Sequence, residues 1–405
     1  MNTRIEIKII ALYSLFFISA LFCLNQFFFP TILDAKNFLN WDAAHYYWIK
    51  NYGYKDFRVA FFPMFPMLWT FSGLSVYGIV LFNASLFLVS FYFLLKSLSV
   101  SIAEVLLYLS IPSFCFFILP YSESVFFASS TILLLGIKQK KTLLLLSGLL
   151  LCTLSRPAFT IFIPALLLAE FVCEDLTNKV WLRILFCICT VLAGVILVGI
   201  IQHYYTGIWF NFFKVQQGWG NKLQLPKLPL TSWAGGLIVR LDGTAMLAGT
   251  VSGIILLSYI FKAKFIKHIT MPKEVVFSLA YLAGITLSVF LFRGGSLFSL
   301  NRFVFAVPFI IVAVNFYLKQ SISFSTRQTL IAFILLLIFW LAFGSYVHIQ
   351  ALLKYTLLSV YIVLVVLLKS ATKTSSKWAM ILLIFINIVF QFIFLIRFLS
   401  NEWVG

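Results

Sequence analysis

Asp42 and His45 stand three residues apart in the run Trp41-Asp42-Ala43-Ala44-His45-Tyr46-Tyr47-Trp48. On a helix that spacing is one turn, so a carboxylate and an imidazole come to the same side. A carboxylate partly buried among aromatic rings can have its pKa raised toward the range where it takes a proton from an attacking hydroxyl. The blander reading is a capping aspartate at the start of an interfacial helix, with His45 as a solvated neighbour. Acidic residues are scarce, 12 Asp and Glu against 30 Lys and Arg, so each is easy to place. Glu6, Glu104, Glu170, Glu174, Asp175 and Glu274 fall at one set of helix ends, and Asp34, Asp42, Asp56, Glu123, Asp242 and Glu402 at the other. Within the second set Asp42 stands out through its histidine.

Arg156, Arg293 and Arg302 share the Asp42 side and are read as phosphate-binding candidates, because a planar guanidinium clasps two phosphate oxygens. Arg156 lies in Ser155-Arg156-Pro157, a break between short apolar runs where an unpaired cation is costly. Arg302 is otherwise an interfacial anchor, and Arg293 precedes Gly294 and Gly295, which suggest a flexible exposed loop. Glu123 follows Pro120-Tyr121-Ser122 and opens an apolar run, where it either meets a helix dipole or binds sugar hydroxyls. Gln216 and Trp219 repeat the three-residue spacing and present an amide beside an indole face, as sugar sites do; the alternative is a Trp set in the interface. His203, Tyr204 and Tyr205 read as aromatic belt and Asp242, before Gly243, as a turn former. No Asp-x-Asp pair or His/carboxylate cluster suggests a divalent ion, so metal-independent chemistry without a cofactor is expected. Cys23, Cys115, Cys152, Cys173, Cys187 and Cys189 lie in or beside apolar runs and read as packing residues.

The elements that must position these groups are set by hydropathy. With 62% hydrophobic and 10% charged residues and a mean hydropathy of +1.04, the chain lies outside the range of soluble domains and reads as an all-α polytopic membrane protein. Apolar runs long enough to cross roughly 30 Å of hydrocarbon, divided at charges, Pro and Gly, predict about thirteen spans: 9–29, 75–95, 100–118, 122–137, 142–154, 158–173, 184–201, 245–261, 275–292, 303–318, 328–343, 351–369 and 378–398. Those around 142–173 are short enough to be re-entrant. The first run, behind Arg4 and Lys8, is read as a retained anchor because its apolar stretch is long for a signal core and lacks a small-x-small site. With the N-terminus inside, Lys138, Lys140 and Lys141, then Lys262, Lys264, Lys267 and Lys273, then Lys369, Lys373 and Lys377 fall on cytoplasmic connections, as the positive-inside rule requires. Two long connections, about 30–74 and 202–244, face outward and are expected to carry short interfacial helices and the chemistry. The net charge of +18 is assigned to helix ends and anionic lipid rather than nucleic acid, since no binding module accompanies it. No repeat or linker divides residues 1–405, which read as one integral domain.

From Trp41-Asp42 through His45 and Gly53-Tyr54 to Phe61-Phe62-Pro63-Met64-Phe65-Pro66, the chain resembles the PIG-V family of glycosylphosphatidylinositol mannosyltransferase 2 and its bacterial relatives. The resemblance continues in Tyr121-Ser122-Glu123, Ser155-Arg156-Pro157, Gln216 with Trp219, Arg302-Phe303 to Pro308, and the terminal Trp403-Val404. The pattern departs at Asn221, where a basic residue is expected, and at Phe303, which replaces Tyr. What the resemblance implies is a GT-C architecture and transfer of a sugar, mannose by analogy, from a polyprenyl-phosphate carrier to a lipid or glycan acceptor on the outer face of a bacterial inner membrane. In that scheme Asp42 is the base, His45 orients it or contacts sugar, Arg156, Arg293 and Arg302 hold phosphate, and Trp41, Glu123, Gln216 and Trp219 face sugar or acceptor. A transporter or flippase is the competing class, though its sites favour broken helices of related repeats near the midplane. An outer-face polysaccharide polymerase or ligase would use similar loops.

Overall fold

The computed structural model describes residues 3–218, 220–232, 236–265, 271–344 and 347–404. Among them the secondary structure is helical, with isolated bridges at Thr231–Ser296 and Phe324–Ser370 and no strand. Eight of the described helices are long and apolar enough to cross a membrane: Ile5–Phe27, Val76–Ser97, Asn178–Thr206, Arg240–Lys262, Lys273–Phe292, Thr326–Phe343, Ile349–Leu367 and Lys373–Leu399. Leu12, Phe22, Leu81, Leu257 and Phe385 project from them exposed. Such surface is costly in water and costs nothing against lipid tails, so the chain is an integral membrane protein.

Of the remaining expected spans, 122–137, 142–154 and 158–173 form single helices, Glu123–Lys138, Thr142–Ser155 and Phe159–Cys173, whereas two others divide at a proline. The stretch expected as one helix over 100–118 breaks into Ile102–Leu109 and the 3-10 helix Pro112–Ile118. Pro112 lacks an N–H and disfavours helical backbone at Ile111. The carbonyls released there are met by Gln391, whose Nε2 donates to Leu109 at 2.7 Å and Ile111 at 2.8 Å. Pro112–Ile118 then meets Glu123–Lys138 at a 105° bend, and the two together form at most one further span. Asn83 Nδ2 closes that bend by donating to Leu119 at 2.6 Å and Tyr121 at 3.1 Å. Side-chain amides thus satisfy backbone that an apolar surround cannot. The expected 303–318 divides likewise at Pro308, into Leu300–Phe305 and Pro308–Lys319. Thr142–Ser155, Phe159–Cys173 and Pro308–Lys319 are apolar but shorter than the eight.

The first long connection folds into Ala35–Leu39, Asp42–Tyr52, Asp56–Ala60 and Met64–Ser72, short helices as expected. Tyr46 packs edge-on against Phe61 at 5.0 Å and Phe65 at 4.9 Å, with Trp69 buried in the same cluster. Gly53 caps Asp42–Tyr52 at φ +74° with Tyr205 pressed against it, so a side chain there meets both backbone strain and that ring. The second connection is shorter than expected, because Asn178–Thr206 and Gly236–Phe265 run into it from both sides; Asn211–Gly218 lies between them. Gln202 joins the two connections: its Nε2 donates to Val59 at 2.9 Å and its Oε1 accepts from the Phe212 N–H at 3.1 Å. Phe62 completes that joint against Phe212 and Phe159. At the far end of Phe159–Cys173, Glu170 and Glu174 pair with Arg183 and Lys273 and tie the helix ends together.

Candidate functional site

Asp42 is the first residue of its helix, and the residue before it is strained. Trp41 holds φ 55° and ψ −126° although it is not glycine. Such backbone persists only where surrounding contacts impose it, and here the Trp41 indole meets Trp403 at 5.1 Å, edge to face. Asp42 follows directly, and its Oδ2 accepts from Arg302 Nη1 at 2.7 Å. Arg302 then reaches Glu123 Oε1 with Nε at 2.7 Å and Nη2 at 2.6 Å. Arg156 pairs with the same Glu123 oxygen. Two carboxylates and two guanidiniums are therefore joined, from four parts of the chain, with their formal charges cancelling.

Each member sits where a helix starts or breaks. Glu123 opens Glu123–Lys138 after the bend, Arg156 ends Thr142–Ser155, and Arg302 lies in the six-residue helix that begins after Ser299 at φ 63°. Burial divides them: Glu123 is 0% exposed, Arg302 4% and Arg156 7%, whereas the Asp42 side chain keeps 22%. Asp42 is the member that faces outward, and among the described residues its Oδ1 has no hydrogen-bond partner. The guanidinium faces lie on rings, Arg302 over Tyr121 at 4.6 Å and Arg156 over Phe126 at 5.4 Å. Burial alone would weaken the charged form of Arg302, but Glu123 and Asp42 more than offset it and push its pKa above the ordinary range. Tyr46, on the Asp42 helix, donates to Ser122 Oγ at 3.0 Å, and Arg156 Nε reaches that oxygen at 3.3 Å. Burial, reinforced by Glu123 and Asp42, holds the Tyr46 phenol protonated.

No family model, curated protein or solved structure matches this chain. The chemistry therefore rests on the side chains themselves.

His45 shares the Asp42 side of the helix, half-buried between Phe57 at 5.1 Å and Phe61 at 5.2 Å. Among the described residues no hydrogen bond joins it to Asp42, and burial lowers its pKa against the opposing pull of that carboxylate. Arg293, expected on a flexible exposed loop, is instead half-buried and pinned. Its Nε donates to Asn221 Oδ1 at 3.0 Å, Nη1 to the Phe298 carbonyl, and the guanidinium lies 3.7 Å from the Phe298 ring centre. Burial draws its pKa down to about 10, with Asp242 opposing. Asn221 also donates to Gln216, which ties Gln216 to Arg293. A basic residue at 221 would repel Arg293, which accounts for the amide there. Asp242, expected to shape a turn, lies inside Gly236–Phe265 and accepts from the Asn301 N–H at 2.9 Å, Asn301 Nδ2 at 2.7 Å and Ser232 Oγ at 2.6 Å. It fastens the residue before Arg302. Trp219 lies outside the described residues.

Sequence reasoning missed Ser122, Asn301 and Gln202 as positioning groups, and Arg58 altogether. Arg58 sits within the motif-bearing segment, and its guanidinium lies 4.3 Å from the Trp48 ring centre and 5.0 Å from that of Phe57. Its position among aromatic residues three after Lys55 was the available signal.

Proposed function

We propose that the chain is an inverting glycosyltransferase of GT-C type that takes a sugar, mannose by resemblance, from a polyprenyl-phosphate carrier and places it on a lipid or glycan acceptor outside a bacterial inner membrane. The observation that carries this reading is Asp42, the outward-facing member of a neutral cluster, with one oxygen fixed by Arg302 and the other open. The open oxygen takes the acceptor proton as the acceptor oxygen attacks the anomeric carbon. The carrier phosphate departs with the bonding electrons. A single displacement forms no covalent enzyme intermediate, so no second carboxylate is needed as nucleophile. Glu123 Oε2, enclosed and without a hydrogen-bond partner among the described residues, is an acceptor that a sugar hydroxyl would satisfy. The Trp41-to-Pro66 segment, with its resemblance to the PIG-V family, supports the donor class.

One observation favours a transporter or flippase as the second reading: the charged groups gather at helix breaks, where transporter sites also lie. Purified protein reconstituted in proteoliposomes with polyprenyl-phosphate mannose and a lipid acceptor extract separates the two. Sugar transfer is expected, and Asp42→Asn, which keeps size and hydrogen bonding, should lower turnover by roughly two orders of magnitude or more. Transfer at the parent rate by that variant overturns the base assignment; carrier movement without transfer moves the protein to the second reading.

A further inference from the structure

An inverting displacement places base and leaving group on opposite faces of the anomeric carbon. In inverting glycoside hydrolysis the two working carboxyl groups stand roughly 6.5–9.5 Å apart, which leaves room for the attacking water on the face opposite the leaving group. A cation in contact with the base is therefore on the wrong face to receive the departing phosphate. Arg302 touches Asp42 at 2.7 Å, and both Arg302 and Arg156 are held by Glu123. The two arginines best placed by sequence are thus engaged in positioning.

We infer that Arg58 holds the phosphate of the lipid-linked sugar. Resting on the glycosyltransferase reading, the assignment stands on four observations. Arg58 is in no ion pair with a carboxylate of the described residues. Its guanidinium lies close to the Trp48 and Phe57 rings, a setting that orients a planar fork without spending its donors. Nε is enclosed without a partner while the residue as a whole is half-buried, so the outer nitrogens are those a ligand meets. Trp48, Tyr52 and Phe57 are exposed around it, an amphipathic aromatic face of the kind found at the level of lipid head groups.

Asp42 connects to Arg58 through His45, one turn along its helix, and the Phe57 ring against which His45 packs. No ion pair joins Arg58 to Asp42 among the described residues, so a phosphate held by Arg58 is not held by a cation in contact with the base. In the reaction the acceptor oxygen to anomeric carbon bond forms, and the bond from that carbon to the phosphate oxygen breaks. Its electron pair goes to the phosphate beside Arg58, and the proton goes to Asp42 and on to solvent.

The test measures binding of polyprenyl phosphate, the leaving group itself, to parent, Arg58→Gln, Arg58→Lys and Asp42→Asn proteins in neutral phosphatidylcholine nanodiscs, and again with phosphatidylglycerol added. Arg58→Gln should bind at least about tenfold more weakly and raise the donor KM, with thermal unfolding like that of the parent. Arg58→Lys should recover part of the loss, and Asp42→Asn should bind like the parent. An active parent whose Arg58→Gln variant binds polyprenyl phosphate unchanged overturns the assignment alone. Loss confined to phosphatidylglycerol retention also overturns it, since Arg58 would then contact bulk lipid head groups. A parent that neither transfers sugar nor binds polyprenyl phosphate overturns the glycosyltransferase reading, and this assignment with it.

Discussion

Glu123 offers one oxygen to two guanidiniums, and its removal is the most severe single change the cluster can suffer. Glu123→Gln leaves Arg156 and Arg302 facing each other in a buried site with Asp42 as the one remaining counter-charge. Breaking a buried pair in this way costs about 3–5 kcal/mol, so the unfolding temperature in detergent should fall markedly while Glu123→Asp falls less. An unchanged transition would show that the cluster does not support the fold. His45 contributes to the pH dependence. Burial depresses its pKa, with Asp42 opposing, so the folded protein takes up this proton at lower pH than the unfolded chain. Its contribution to stability is full above the ordinary imidazole value of about 6.5 and drains away as pH falls from there through the depressed value. His45→Gln should flatten the loss of stability in that acid window; an equal acid response in parent and variant would assign it to other groups.

Among the elements, the helix breaks decide the site, because a charged side chain at a helix start or end can reach across to another helix. Leu300–Phe305 is six residues long and is cut off by Pro308 from the helix Pro308–Lys319, so its own hydrogen bonds hold it weakly. The Asp242 to Asn301 contacts supply the missing restraint. Asn301→Ala keeps the backbone N–H donor but removes the amide, and the resulting slack in Arg302 should lower turnover by about ten- to a hundredfold with helix content unchanged. Full turnover in Asn301→Ala would place the restraint elsewhere. Asp242 read as a turn former because Gly243 comes directly after it; its true partner lies 59 residues away and leaves no local trace.

For the whole molecule, the sequence reading sets Asp42 and the basic connections on opposite sides of the bilayer. With the exposed Cys23 and Cys189 replaced by Ala, Lys50→Cys and Lys222→Cys should react with an impermeant thiol reagent from outside intact cells, and Lys140→Cys should react after permeabilisation alone. Labelling of position 50 from the cytoplasm alone would remove Asp42 from the donor's side and end the proposed mechanism.

Hydropathy is a sum over neighbours in the chain, so the membrane class, the approximate place of the long helices and the short helices of the first connection were legible without coordinates. Asp42, Glu123, Arg156 and Arg302 stood out there as candidates, because charge is rare in so apolar a chain. Their pairing did not. Asp42 meets Arg302 across 260 residues and Glu123 meets it across 179, and no spacing rule reaches that far. In a low-dielectric interior a guanidinium must find a carboxylate or remain costly, but which carboxylate it finds depends on how broken helices pack. Tertiary structure made that choice, engaging two of the expected phosphate ligands with Glu123, pinning the third on Asn221 and Phe298, and leaving Arg58 beside its aromatic rings.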